Sequence, residues 1–155
     1  MNLKKISLIL VLSILIIFFF FNIAKSLNIF SKVTPSNIGH IEINGVGLSV
    51  YKVTSEKDQK KGLSGRESLR NDEGMFFIFP KIEEHLLWMK EMKFPIDMIW
   101  FDGDLNVIYV EKNVSPESYP STFGPSEGSK YVLETNANFF EKNNLKIGDN
   151  AIFLP

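Results

Sequence analysis

Hydrophobic residues follow two different patterns along this chain of 155 residues. Residues 6–23 form an almost unbroken apolar run, interrupted only by Ser7, Ser13 and Asn22. From residue 40 onwards, the apolar positions come in short runs that are separated by turn residues. The first pattern is typical of a segment that enters a membrane, and the second is typical of a β-rich domain.

As a helix, residues 6–23 would span about 27 Å, slightly less than the hydrocarbon core of a bilayer. Lysines precede the run at positions 4 and 5, so the N-terminus is expected in the cytoplasm and the rest of the chain across the membrane. The run exceeds the usual h-region of a signal peptide, which favours a transmembrane anchor over residues 1–26. A cleaved signal remains open, because Ala24 and Ser26 are small residues before Leu27. The domain would then be secreted or periplasmic instead of membrane-bound.

The segment after the apolar run changes character. Residues 27–39 are rich in Asn, Ser, Lys, Thr and Pro, which predicts a short tether to an extracytoplasmic domain of residues 40–155. Within that domain, Asn44-Gly45 separates two β-rich runs and predicts a hairpin. A short helix should follow, with Thr54 or Ser55 as its N-cap and Gly62 just beyond its end.

The later apolar runs predict further strands. The expected strands are residues 75–79, 85–90, 96–101, 107–110, 131–135 and 151–154, with a long loop at 113–128 and a short helix at 137–144. Pro80 is expected to end the first of these strands. The predicted fold class is mostly β, a β-rich α+β domain: a compact antiparallel barrel or sandwich with one or two short helices, after an N-terminal hydrophobic helix.

Charge and composition argue against several classes of function. The basic residues of segment 1–32 have no acidic counterpart there, which leaves 13 basic against 18 acidic residues, about −5, for residues 33–155. This balance argues against nucleic-acid binding. The absence of Cys excludes disulfides, thiolate zinc sites and a cysteine nucleophile. The two histidines have no metal-ligand spacing, so neither a metal nor another cofactor is expected.

Charged residues next to apolar runs are the candidates for chemistry. They are Arg66, Asp72, Lys90, Asp97 and Glu134. In one interpretation, Arg66 or Lys90 binds a ligand in a cleft while a carboxylate does acid–base work. In the other, these residues pair with one another and hold loops in place. Trp88 shares a strand face with Lys90 if the segment is extended, and this would suit stacking on a sugar or another ring.

The same segments resemble a family of unknown function, DUF192, also called UPF0127. The matching pieces are residues 59–66, Leu69, residues 72–79, Trp88-Met89-Lys90, residues 95–101, residues 132–134 and Gly148-Asp149. Where the family commonly has Asn-Thr after Trp-Met-Lys, this chain has Glu91-Met92. The resemblance implies no established activity. It does imply a domain that often follows a signal or membrane segment, in agreement with the prediction for residues 1–26.

Two functions therefore remain open. The first is a non-catalytic ligand-binding or cell-envelope module for a small molecule or saccharide. Its expected ligand-binding residues are Arg66, Trp88, Lys90 and Asp97. The second is a hydrolase or lyase that acts on envelope or polysaccharide material, with Asp97 and Glu134 as its acid/base pair. In both, the membrane is a partner through residues 6–23.

Overall fold

The computed structural model describes residues 37–155, so the predicted membrane segment and most of the predicted tether lie outside the described residues. No helix in the described part of the chain is long and apolar enough to cross a bilayer. The strands are β1 (Ile38–Ile43), β2 (Val46–Val53), β3 (Glu73–Glu83), β4 (Leu87–Trp88), β5 (Ile96–Phe101), β6 (Val107–Val114), β7 (Thr122–Phe123), β8 (Ser129–Asn136) and β9 (Ala151–Leu154). The helices are α1 (Glu56–Lys61) and α2 (Phe139–Lys142), and a 3-10 turn covers Pro116–Ser118.

Seven of these strands form one curled sheet with the shape of a half-barrel. Their order is β6-β5-β8-β3-β2-β1-β9, and neighbours are antiparallel except β2 and β3. The outer strands approach each other at one end, where Asn106 bridges to Asn150 and the Ala151 N–H donates to the Leu105 carbonyl. The remaining strands, β4 and β7, pair as a separate two-stranded ribbon. The prediction of a mostly β, barrel-like fold is confirmed.

Local sequence signals explain the first elements. Asn44 and Gly45 adopt φ of 49° and 82°, the left-handed values that a tight hairpin requires, and they join β1 to β2. Ser55 caps α1 by accepting a hydrogen bond of 3.2 Å from the Asp58 N–H. Gly62 ends the helix with φ of 49°. Because α1 belongs to the crossover between β2 and β3, those two strands run parallel.

Both faces of the sheet are buried. Every residue of β5 is buried, and alternation sends its side chains to two separate clusters. One cluster, the Phe76 face, includes Phe76, Ile99, Phe101 and Leu133. The other, the Phe77 face, includes Met75, Phe77, Met98, Trp100 and Val132. The face of the sheet on which a side chain lies therefore determines which of the two clusters it packs against.

The prediction that Pro80 ends β3 is wrong. The regular pairing of β3 with β8 covers Met75 to Ile78 and resumes only at Glu83. Pro80 lies in this irregular gap, where its missing N–H removes no bond from the ladder. Its carbonyl accepts a hydrogen bond of 2.8 Å from Lys130. The strand consequently continues to Glu83.

Several other elements differ from their predicted bounds: β6 extends to Val114, and β8 begins at Ser129 and ends at Asn136. The strand expected at residues 85–90 has only two residues, and it pairs with β7, which lies within the predicted loop 113–128. It stops there because the chain turns: the Met92 N–H donates to the Met89 carbonyl, and Glu91 has φ of 57°.

The C-terminal helix is also shorter than expected. It covers Phe139–Lys142 and not residues 137–144, since Asn138 and Asn144 adopt left-handed φ of 68° and 55°.

Candidate functional site

A cleft of about 340 Å³ lies on the Phe77 face, between α1 and the β4–β7 ribbon. This volume is near the lower end of the range of small-molecule sites. Its walls are largely apolar and come from the loop after α1, from β3 and from the ribbon region. The apolar wall residues include Leu63, Phe77, Phe79, Leu87, Trp88 and Met92. We call this space the Glu134 cleft, after the carboxyl group in its lining.

Glu134 is the unusual group in this lining. It lies in the middle of β8, directly opposite Met75 on β3 and Met98 on β5, and is only 4% exposed. Its Oε2 atom has no hydrogen-bond partner among the described residues. Burial raises the pKa of the Glu134 carboxyl from 4.5 to about 8, because the charged form is poorly solvated there. At neutral pH the group is therefore largely a neutral carboxylic acid.

The backbone next to Glu134 approaches it closely. A Cβ atom placed on Gly62 would lie 3.7 Å from Glu134 Oε2 and 3.5 Å from the ring of Phe77. Gly62 has no side chain to fill this space, and its φ of 49° disfavours other residues. The end of α1 thus places no side chain beside this carboxyl group, whose Oε2 atom is itself buried.

Two other polar groups of the lining are already engaged. Gln59 Nε2 donates a hydrogen bond of 3.1 Å to the Ile78 carbonyl, and Ser64 Oγ donates one of 2.7 Å to the Lys90 carbonyl. These bonds fasten α1 to β3 and fasten the loop after α1 to the turn after β4. Within the described residues, the buried side-chain atom of this lining that lacks a hydrogen-bond partner is Glu134 Oε2.

Charges at the mouth come from α1. Glu56, Lys60 and Lys61 are exposed and line the cleft. The ion pairs of the described residues involve none of these three. In the sequence, the pair Lys60-Lys61 indicates a solvated helix end. In the structure, these two lysines outnumber Glu56 and give the mouth of the cleft a net positive charge.

Of the predicted ligand-binding residues, Trp88 lines the cleft. Its side chain is 43% exposed, and Tyr119 meets it edge to face with ring centroids 6.3 Å apart. Lys90 Nζ lies 5.9 Å from the centroid of the Trp88 ring, a cation–π distance. The two residues are therefore neighbours, although Lys90 lies in the turn after β4 and not in an extended strand, and only Trp88 belongs to the lining.

Arg66 lies apart from the lining. Its guanidinium stacks over the ring of Tyr51, 4.3 Å from the centroid. Such an arrangement is worth about 0.5–1 kcal/mol at an exposed site and fixes the loop after α1 against β2.

Asp97 is on the opposite face of the sheet from Glu134. It pairs across strands with Thr135, the residue after Glu134, and is completely buried. Its Oδ1 accepts hydrogen bonds of 2.8 Å from the Asn113 N–H and 3.2 Å from the Asn138 N–H, and Oδ2 accepts one of 2.9 Å from the Phe140 N–H. Asp97 thus anchors the end of β6 and the start of α2, and does not share a cleft with Glu134.

In the alternative interpretation, the five candidate charged residues pair with one another. Their partners in the structure are instead other groups, which differ from residue to residue. Asp72 pairs with Arg70 at 2.9 Å, and the hydrogen bond from Arg70 lowers the Asp72 pKa at the surface. Asp97 is held by backbone N–H groups. Within residues 37–155, no ion pair joins two of the five candidates.

Several lining residues had no separate functional signal in the sequence. Phe77, Phe79 and Met92 look like ordinary core residues there, and Gly62 looks like an ordinary helix end. No group of three or more His, Asp or Glu side chains in the described part of the chain is placed to hold a metal ion.

Comparison with known proteins identifies relatives of this domain. The sequence model of the family DUF192, described as uncharacterized ACR, COG1430, matches residues 39–153. No curated protein matches the sequence.

Two solved structures are similar in fold. One, from Sinorhizobium meliloti 1021 and provisionally described as a transcription regulator, has a TM-score of 0.71 at 24% identity over 75% of this chain and 93% of its own. The other, a protein of unknown function from Novosphingobium aromaticivorans DSM 12444, has a TM-score of 0.69 at 24% identity over 74% of this chain and 84% of its own. At this identity the similarity extends to the fold alone.

Proposed function

The chain belongs to the DUF192 family, whose function is uncharacterised, and we propose that its domain binds a small organic ligand in the Glu134 cleft without converting it. The observation that carries the proposal is the unsatisfied Oε2 of Glu134 in the lining of a mostly apolar cleft. A buried polar atom without a partner costs about 1–3 kcal/mol. A ligand that bonds to Glu134 would remove this cost, and no residue of the described domain does so.

The surroundings support a preformed site. Gln59 and Ser64 fasten two walls of the cleft through hydrogen bonds to the backbone. A site that is already ordered loses little conformational entropy when a ligand enters it. Trp88 and the aromatic rings of β3 supply apolar contact area along the walls.

A binding role is favoured over turnover because Asp97 and Glu134 occupy opposite faces of the sheet. A paired acid and base must reach the same substrate bond, from carboxyl groups that face one cleft. Asp97 is engaged with three backbone N–H groups and lines no part of the cleft. The separation of these two carboxyl groups does not support the hydrolase or lyase alternative.

We also propose that this domain works outside the cytoplasm as an envelope module, tethered to the membrane through residues 6–23. The support is the sequence pattern: lysines precede a long apolar run, and a polar tether follows it. Tethering would restrict the domain to ligands that are present at the outer surface of the membrane.

A thermal-shift screen of small molecules on the full chain in nanodiscs tests the binding role. Ligands of the native state raise the melting temperature, and the shift grows with the logarithm of the ligand concentration divided by the dissociation constant. Thr122→Trp should abolish the shifts, because Thr122 lies in the lining opposite Trp88 and its exposed position tolerates a larger side chain. Ser121→Trp, next to it but outside the lining, is the matched control. A screen without hits, or hits equally strong in Thr122→Trp, would refute the proposal.

A further inference from the structure

We infer that the ligand of the Glu134 cleft is a small amphipathic acid. It has an apolar body, a single neutral hydroxyl or carbonyl group at its buried end, and an anionic group at the mouth. This inference rests on the proposed binding function and specifies the chemistry of the ligand.

The walls favour a ligand with one deep polar group. Gln59 Nε2 and Ser64 Oγ each donate a hydrogen bond to the backbone, whereas Glu134 Oε2 is buried in the lining without a partner among the described residues. A saccharide ring carries several hydroxyl groups, and most of them would lose water against apolar walls without gaining a partner. An apolar or aromatic body with a single hydroxyl or carbonyl group avoids this loss.

The buried end of the ligand should be neutral. From β3 and β5 the cross-strand neighbours of Glu134 are Met75 and Met98, which supply no charge. In these surroundings the carboxyl keeps its proton up to about pH 8. A protonated carboxyl donates through its O–H and accepts through its carbonyl, which matches a hydroxyl or carbonyl group of a ligand.

The mouth favours an anion at the outer end. The titratable groups of the lining besides Glu134 are Glu56, Lys60 and Lys61, all on α1. Both lysines are without an ion-pair partner among the described residues, so a carboxylate at the mouth gains two cations for one acid. The same balance opposes a cationic ligand during entry.

Three ring compounds test this combination as probes: 4-hydroxyphenylacetate, phenylacetate, which lacks the hydroxyl, and tyramine, which has an amine in place of the carboxylate. Their affinities for the full chain in nanodiscs would be measured by ligand-observed NMR, with empty nanodiscs as the blank. We expect 4-hydroxyphenylacetate to bind about tenfold more tightly than phenylacetate, the effect of one neutral hydrogen bond. Tyramine should bind more weakly than 4-hydroxyphenylacetate.

The pH dependence and the variants identify the groups involved. Affinity for 4-hydroxyphenylacetate should fall as the pH rises above about 8, because the ionised Glu134 then repels the carboxylate of the probe. Glu134→Gln should keep the affinity and lose this pH dependence, since a carboxamide also donates and accepts. Lys60→Ala or Lys61→Ala should weaken binding, whereas Lys57→Ala, on the same helix but outside the lining, should not.

The possible failures are distinguishable. If tyramine binds best and its affinity rises with pH, the site takes a cation; the inference is then wrong and the binding function stands. If none of the probes binds but the compound screen gives ligands that Thr122→Trp abolishes, the inference also fails alone. If neither the probes nor the screen gives a ligand of the cleft, both the inference and the binding function fail.

Discussion

Asp97 and Glu134 lie on the adjacent strands β5 and β8, one residue out of register, and their carboxyl groups occupy opposite faces of the same sheet. Asp97 accepts three hydrogen bonds from backbone N–H groups, while Glu134 leaves one oxygen without a partner. Two buried acids in neighbouring positions thus differ: one satisfies the backbone of the domain, and the other has an unpartnered oxygen that we propose meets a ligand.

Asp97→Ala should destabilise the domain strongly. Removing the carboxylate leaves the N–H groups of Asn113, Asn138 and Phe140 without their acceptor, and each buried unsatisfied group costs about 1–3 kcal/mol. We expect a loss of at least about 3 kcal/mol in the free energy of unfolding, measured by urea denaturation of the full chain. Asp104→Ala, in the exposed turn between β5 and β6, is the control. Equal stabilities of the two variants would contradict the anchoring role.

Glu134 should make the domain less stable as the pH rises. The carboxyl is protonated up to about pH 8 in the folded domain but ionises near pH 4.5 when the chain unfolds. Between these values the unfolded state binds fewer protons, so the free energy of unfolding decreases with rising pH. The total loss is at most about 5 kcal/mol, complete above the folded pKa.

Glu134→Gln tests this dependence. Glutamine cannot ionise, so the variant should not lose stability as the pH rises. The melting temperature of the variant relative to that of the wild type should therefore be higher at pH 8.5 than at pH 4.5. Glu83→Gln, at an exposed position of β3, controls for the removal of an acid. A constant difference between Glu134→Gln and wild type over this pH range would mean that Glu134 is not held in its protonated form.

Local signals made much of the fold predictable. The left-handed turn at Asn44-Gly45 and the Gly62 end of α1 depend on residues that are neighbours in sequence, so the pattern alone identifies them. The same pattern restricts the N-cap to Thr54 or Ser55, and the structure shows Ser55. The β9 strand, Ala151–Leu154, has the predicted bounds. The predicted bounds of β3 and β4 were wrong. The end of β3 depends on the shift in its register with β8, and the extent of β4 depends on its pairing with β7.

The site was less predictable because it depends on register. Both faces of β5 are buried, so its sequence carries no amphipathic alternation that would assign Asp97 to one face. Only the pairing of Met98 with Glu134 separates the two acids. The cleft is lined by residues of α1, β8 and the ribbon. These elements are distant in sequence, so no single motif indicates the cleft.

Gly62→Ala should weaken ligand binding beyond the effect of backbone strain. Its Cβ would occupy space 3.7 Å from Glu134 Oε2, where a ligand atom is expected. Gly65→Ala is a matched control: Gly65 also has a positive φ, of 77°, but its Cβ would meet nothing within 4 Å. Both variants should lose roughly 1 kcal/mol of stability through strain. Only Gly62→Ala should reduce the thermal shift that a ligand produces, and a similar reduction in Gly65→Ala would contradict contact at this wall.

The membrane tether is tested by the fate of the N-terminal run. We predict that the full-length protein stays with membranes after a high-salt wash, because residues 6–23 are held by burial of apolar side chains and not by charge. Leu12→Arg combined with Leu15→Arg should prevent this, since each arginine near the middle of the run costs about 2.5–3.5 kcal/mol of insertion. Asn28→Arg, in the predicted tether, should leave retention unchanged. Immunoblots of the washed membrane fraction measure the three proteins. A mature N-terminus at Leu27 would overturn the anchor in favour of a cleaved signal, because the apolar run would then be absent from the exported domain.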